Sequence, residues 1–338
     1  MAHLQGSGSP ITQVSQTPVA PMHLQPQLLT RLQLDLRGKR FTVDRETIMN
    51  LPESILLCLF PNGLVLSRQS AMLSDGGDND EFEELYAVDF DPDCFSFVLA
   101  FFKHSADVFY GTPNSPGLYA AQQLLVDGGS PTSDFNPTSS QNPLLSKQAI
   151  IVLREELEYF SIPSGANKTA PGLTSGAANE ALLELKRKCG VHLLQKRNIF
   201  TALQRNVNKE NNVAEQHLID MLCMSGFNRD DEWGYRAMEP SRCCVSSIAL
   251  VLLKTGIVHH PPNAGGQVTI DYNQMATAQK LLLFWRKPAR KCWWDGVEVD
   301  LTEDGQTPQP VKLWARRVWT LELSLVRGNL TNHRNMCR

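Results

Sequence analysis

Asp89 and Asp91 stand two residues apart, directly after the apolar run Leu85–Val88. Two carboxylates so placed behind a strand suit phosphoryl transfer, in which the first attacks phosphorus and the second moves the proton. That chemistry wants a threonine or valine two places further on, and Asp93 stands there instead. It also wants a later lysine and a paired-aspartate motif, and the sequence offers no convincing one. Asp91-Pro92 has a structural use of its own, as an aspartate N-cap followed by proline at the first helical position. A hydrolase working through Asp89 and Asp91 is carried as an alternative, and no catalytic residue is assigned.

Other reactive side chains are set in weaker patterns. The chain holds 8 cysteines and 8 histidines with no C-x-x-C, and free thiols are expected. His104, Cys58 and Cys94 lack a nearby Cys-Cys pair to complete a zinc site, and Cys243-Cys244 falls in an expected strand, where neighbours face opposite ways. His259-His260 reads as a polar turn. No metal and no cofactor is expected. Lys186, Arg187 and Lys188, with Lys196 and Arg197, form a basic cluster suited to an acidic partner or a membrane surface; a solvated helix face is the plainer alternative. Asp78, Asp80, Glu81 and Glu83 lie in the acidic, glycine-rich run Ser74–Glu84 and are the other expected interaction residues. Trp293, Trp294, Trp314 and Trp319 are expected mostly in the core, with one or two left as exposed anchors.

The elements that must position these groups follow from periodicity. Leu32, Leu34 and Leu36 alternate with polar residues, Arg37-Gly38-Lys39 supplies a turn, and Phe41 and Val43 alternate again, which predicts a β-hairpin. Asp44 is placed to cap a following helical turn, and Ser54–Phe60 reads as an apolar helix stopped by Pro61-Asn62-Gly63. Phe95, Val98, Leu99 and Phe102 fall on one stripe of the helix begun by Asp91-Pro92. Gly111–Pro143 reads as a flexible insert.

The stretch Val152–Pro163, "VLREELEYFSIP", reads as a short amphipathic helix. Ile150, Leu153, Leu157 and Phe160 share its apolar face, Glu155, Glu156 and Glu158 are solvated, and Pro163 ends it. Residues 164–178 read as a linker. Helices are expected in "EALLELKRKCGVHLL" and "VAEQHLIDMLCMSGF". Strands are expected in "CCVSSIALVLLK", "KLLLFWRK" and "VWTLELSLV", and a hairpin turning at Asp295-Gly296 in "KCWWDGVEVDL". The expected domains are a disordered tail over 1–27, an α+β domain over 28–163, an α+β domain over 179–327 with helices first and then mainly antiparallel sheet, and a tail over 328–338.

"LDLRGKRFTVDRETIMNLPES", "VDFDPDCFSFVLAFFK" and "LREELEYFSIP", in that order, resemble the BTB/POZ domain of the potassium-channel tetramerisation type. The chain departs from that pattern in the insert and in the acidic loop. The whole layout resembles the fungal Whi-two stress-response proteins. That resemblance implies an adaptor for a plasma-membrane phosphatase of the haloacid-dehalogenase type, and a restraint on target-of-rapamycin (TORC1) signalling when amino acids are scarce. The BTB resemblance implies homo-oligomers through that domain and, as an alternative function, a substrate receptor for a cullin ubiquitin ligase.

Bulk properties are those of an ordinary soluble globular protein. Of 338 residues 42% are hydrophobic and 20% charged, and the net charge of −3 gives no reason to expect nucleic acid. The longest apolar runs, Ile248–Leu253 and Leu281–Trp285, are far short of the ~20 residues that span a bilayer. The N-terminus lacks the basic start and apolar core of a secretory signal. The expectation is a non-enzymatic cytoplasmic adaptor, brought to the plasma membrane or endosomes only through a partner.

Overall fold

Leucine alternation builds the first hairpin. The computed structural model describes residues 27–64, 67–68, 85–127, 142–162, 176–210, 213–261, 267–301 and 310–328. After β1 (Gln27–Leu28) come β2 (Arg31–Leu36) and β3 (Lys39–Asp44), paired antiparallel, with Leu32, Leu34 and Leu36 buried. The turn between them puts both central residues at positive φ, Arg37 at 49° and Gly38 at 90°. This is the twist-matched geometry of a two-residue hairpin. An arginine is strained there, and its guanidinium is held by Asp89 at 2.7 Å and Glu239 at 2.6 Å. Two helices follow, α1 (Arg45–Met49) and α2 (Glu53–Leu59). Asp44 sits at the N-cap position of α1, but its carboxylate accepts from Arg31 Nε at 3.2 Å and not from the helix amides.

Among the described residues the two-residue β4 (Ser67–Arg68) pairs with β1, and the two belong to a small unit of their own. In the larger unit, β5 (Leu85–Val88) runs parallel to β2. Asp91 then caps α3 (Pro92–Tyr110) as expected, accepting from the amides of Asp93 and Cys94 at 2.9 Å each. The expected insert is partly regular. Gly111–Thr112 (β6) and Ser115–Pro116 (β7) form a tight hairpin, and Leu118–Asp127 is helical (α4). Residues 128–141 lie outside the described residues. Asn142 caps the one-turn α5 (Pro143–Ser146).

The next element overturns the expected helix. Gln148–Ile162 is a strand, β8, at the centre of an antiparallel sheet. Its apolar residues satisfy both periods. Ile151, Leu153, Leu157 and Tyr159 alternate onto one face, and Glu155 breaks the alternation by placing a charge at a core position. The charges that make Glu155 tolerable there come from Arg236 and Arg317, far away in sequence. One of the three segments carrying the BTB resemblance is therefore a strand. Pro163 and residues 164–175 lie outside the described residues, and the following helix already begins at Gly176.

Helices come next, α6 (Gly176–Gln195), α7 (Thr201–Glu210) and α8 (Val213–Ser225). The sheet continues with β9 (Tyr235–Met238) and β10 (Cys244–Leu252). A side hairpin pairs β11 (Ile257–His259) with β12 (Val268–Ile270). Tyr272–Trp285 is α9, not a strand. Asp271 caps it, and Met275, Ala278, Leu281, Leu282 and Trp285 are buried at helical spacing, a stripe that begins before the "KLLLFWRK" run.

Ala289–Asp300 (β13) and Pro310–Val326 (β14) complete the sheet in the order β13-β14-β8-β10-β9. The expected hairpin at Asp295-Gly296 is absent. β13 runs straight through it, paired with β14 from Ala289↔Leu321 to Asp300↔Pro310. Helices α7, α8 and α9 cover one end of the sheet's inner face, and α6 covers the other around Leu157, Tyr159 and Leu313. On the outer face, Glu322 accepts from the Ser54 amide at 3.0 Å and Arg154 donates to the Ser54 carbonyl at 3.0 Å, which docks α2. The fold class is α+β as expected, and β8 from the first half is hydrogen-bonded to β10 and β14 from the second.

One close approach is testable. A Cβ on Gly190 of α6 would lie 2.4 Å from the Tyr159 hydroxyl oxygen and 2.6 Å from Met238 Sδ. Gly190→Ala is expected to destabilise the protein by about 1–3 kcal/mol, the usual range for overpacking, read as a lower urea midpoint at unchanged slope.

Candidate protein-interaction face

The outer face of the sheet carries an open aromatic row at its far end. Phe160 and Trp314 are register partners on β8 and β14, and Trp314 is opposite Gly296 on β13. Gly296 has no side chain, so the Trp314 ring lies across it, with ring atoms 3.8–4.0 Å from where a Cβ would be. Two residues back, Trp294 points to the same side, its ring 6.0 Å from that of Phe160. These side chains are exposed: Trp294 57%, Phe160 51%, Ile162 41% and Trp314 39%. Lys312 Nζ sits 5.8 Å from the Trp314 ring, and Arg316 pairs across the strands with Glu158 at 3.1 Å. An apolar centre framed by such charges has the composition of a protein-binding patch.

On the inner side of the same strands, five residues along β8 from Phe160, lies a buried ionic cluster. Glu155 accepts from Arg236 Nη1 at 2.7 Å, from Arg317 Nη1 at 2.6 Å and from Trp319 Nε1 at 3.1 Å. Arg236 also reaches Ser247 and the Leu193 carbonyl. Asp295 extends the network to β13 through Arg317 and to α7 through Arg205. One carboxylate thus ties β8, β9 and β14, Arg236 adds β10 through Ser247, and Asp295 adds β13. Burial alone would push the Glu155 carboxyl up, but Arg317 and Arg236 pull it below the usual glutamate value. The aromatic row therefore sits on strands whose relative positions are clamped further along their length.

A second concavity, of about 480 Å³, lies among Arg45, Met49, Tyr110, Tyr119, Lys147 and Arg327. The Tyr110 hydroxyl donates to the carbonyl of Val326 at 2.9 Å, and burial pushes it up to about 12.

The residues singled out from sequence are dispersed. Lys186, Arg187 and Lys188 lie on α6, where Arg187 forms a bidentate pair with Glu184 one turn back. Arg197 pairs with Glu232 at 3.0 Å and donates to the Trp233 carbonyl. Lys196 lines a small cavity beside Arg205 and Arg317. Asp78, Asp80, Glu81 and Glu83 lie outside the described residues. Asp89 is bound by Arg37, and Asp91 is engaged by the α3 amides and the Tyr235 hydroxyl. Cys94 is buried in α3, which pushes its thiol up to about 12. Of the tryptophans, Trp319 is core and Trp293 packs against it, while Trp294 and Trp314 are the two left outside. The row itself is hidden in sequence because its members come from three strands, and its Gly296 reads as half of a turn.

No family model matches the chain. It is similar to a WHI2-like protein of Schizosaccharomyces pombe, 32% identical over 300 residues and 88% of each chain. It is also similar to a growth regulation protein of Saccharomyces cerevisiae, 26% identical over 87% of this chain and 91% of that one. An uncharacterized protein of Schizosaccharomyces pombe is 21% identical over 89% of each.

Proposed function

Because the chain belongs to the WHI2-like protein family, we propose that it is a non-enzymatic regulator of growth and stress response that works by holding protein partners together. The observation that carries this reading is the exposed row Phe160–Trp314–Trp294 on a sheet clamped by Glu155. The growth role follows the name of the Saccharomyces cerevisiae relative. The resemblance to fungal Whi-two stress-response proteins supplies the partner, a plasma-membrane phosphatase of the haloacid-dehalogenase type, and the outcome, restraint of target-of-rapamycin signalling. The hairpin and the Asp-Pro-started α3 support a BTB-like reading of the first half, with homo-oligomers as its consequence. No helix among the described residues is long and apolar enough to cross a membrane, and the phosphatase would bring the chain to one.

An activity assay separates adaptor from enzyme. The pure chain is expected to leave p-nitrophenyl phosphate intact, and phosphatase activity that co-purifies with it should survive Asp89→Asn. Hydrolysis that persists in the pure chain and disappears in Asp89→Asn would make the protein an enzyme.

A further inference from the structure

Beside the Glu155 cluster is a cavity of about 40 Å³, lined by Lys196, Thr201, Arg205, Arg317, Glu155 and Asp295 among others. The space is small and polar, enough for a few waters or one tetrahedral anion. Its charges do not balance. Three cations face two carboxylates, and a fourth cation, Arg236, spends itself on Glu155 from behind. Both Glu155 oxygens are already committed to Arg236, Arg317 and Trp319, and Asp295 is engaged by Arg205 and Arg317. Among the described residues no carboxylate pairs with Lys196. The Nε of Arg205 is buried without a hydrogen-bond partner, and the Nε of Arg317 has only the Asp295 carboxylate at 3.8 Å, with the Arg317 side chain 10% exposed. Unpaired buried guanidinium nitrogens are rare because their desolvation is uncompensated. Two further features favour negative charge. The first turn of α7, Thr201 and Ala202, lines the same cavity. Lys196 is pulled below its ordinary value mainly by partial desolvation, and the like charges of Arg205 and Arg317 add to it.

We propose that the cavity between Lys196, Arg205 and Arg317 binds one free tetrahedral oxyanion, inorganic phosphate being the natural candidate. The anion neutralises the surplus charge and accepts from the orphaned guanidinium and ammonium donors. The volume admits the ion and leaves no room for a nucleoside or a peptide attached to it. Lys196 is exposed and stands at the mouth, whereas Arg317 and Glu155 are structural. This site does not depend on the adaptor reading.

Melting of the full chain in sodium phosphate, sodium sulfate and sodium chloride at matched ionic strength tests it. Phosphate and sulfate are expected to raise Tm saturably, by about 2–4 °C at ten times Kd, and chloride is not. Lys196→Gln should fold normally and lose the response, and Arg205→Gln should lose it where it folds. The proposal is overturned if phosphate does no more than chloride, or if Lys196→Gln responds like the wild type. A serine-phosphorylated peptide binding as tightly as inorganic phosphate would also overturn it, because the site would then read phosphoryl groups on proteins.

Discussion

Glu155→Ala unfolds the protein more readily than any surface change, by about 3–5 kcal/mol, because it strands two buried guanidinium groups. Arg236 is 1% exposed in its side chain and Arg317 10%, so both are left largely out of water. Glu155→Gln keeps the shape and one acceptor but removes the charge, so it is expected to lose most of the same amount. The pH profile carries the sign. The folded Glu155 carboxyl titrates below the ordinary glutamate value of 4.5, so its stabilisation is present above that value and is lost as pH falls through its folded pKa. Glu322 works the other way: burial pushes its carboxyl up, so its share of stability falls as pH rises. Urea titrations from pH 7 to pH 3 should therefore show wild-type stability dropping in acid and Glu155→Gln changing much less. Parallel curves for the two proteins would remove Glu155 from the centre of the cluster.

Trp294→Ser and Trp314→Ser are each expected to weaken partner binding by about 2 kcal/mol or more, the size of an interface hot spot. At 1.4 kcal/mol per decade that is roughly 30-fold each. Stability should move little, since Trp294 is 57% exposed and a cross-strand aromatic pair contributes at most about 1 kcal/mol. Trp314 has the larger structural share, because it covers Gly296. Titration of each variant against the proposed partner, a phosphatase of the haloacid-dehalogenase type, separates the two effects: affinity falls while the melting temperature holds. Binding that falls only in proportion to lost stability would mean that the row is a packing device.

Local signals in the sequence were reliable where short-range chemistry decides the structure. The leucine alternation gave β2, Asp91-Pro92 gave the start of α3, and the helices expected in "EALLELKRKCGVHLL" and "VAEQHLIDMLCMSGF" are α6 and α8. The misreadings fall where distant partners decide. Glu155 looks like a solvated helix residue until Arg236 and Arg317 are brought to it from 81 and 162 positions away. Asp295-Gly296 looks like a turn, but Asp295 serves the ionic cluster and Gly296 makes room for Trp314, so the strand runs on. The "KLLLFWRK" run looks like a strand because the cap and first turns of α9 lie before it. Lys196 and Arg197 look like one basic cluster with Lys186–Lys188, yet the turn after α6 sends Lys196 to the cavity and Arg197 to Glu232. The aromatic row is the extreme case, since three strands must align before it exists.

Recruitment of a phosphatase through the open end of the sheet is the step proposed for this chain. Quantitative affinity capture from cells tests it most directly, comparing the wild type with the Trp294→Ser/Trp314→Ser chain at matched expression and melting temperature. The account predicts a haloacid-dehalogenase-type phosphatase among the proteins captured by the wild type and a loss of at least tenfold with the double variant. Equal capture by both chains, or a cullin in place of the phosphatase, would contradict it.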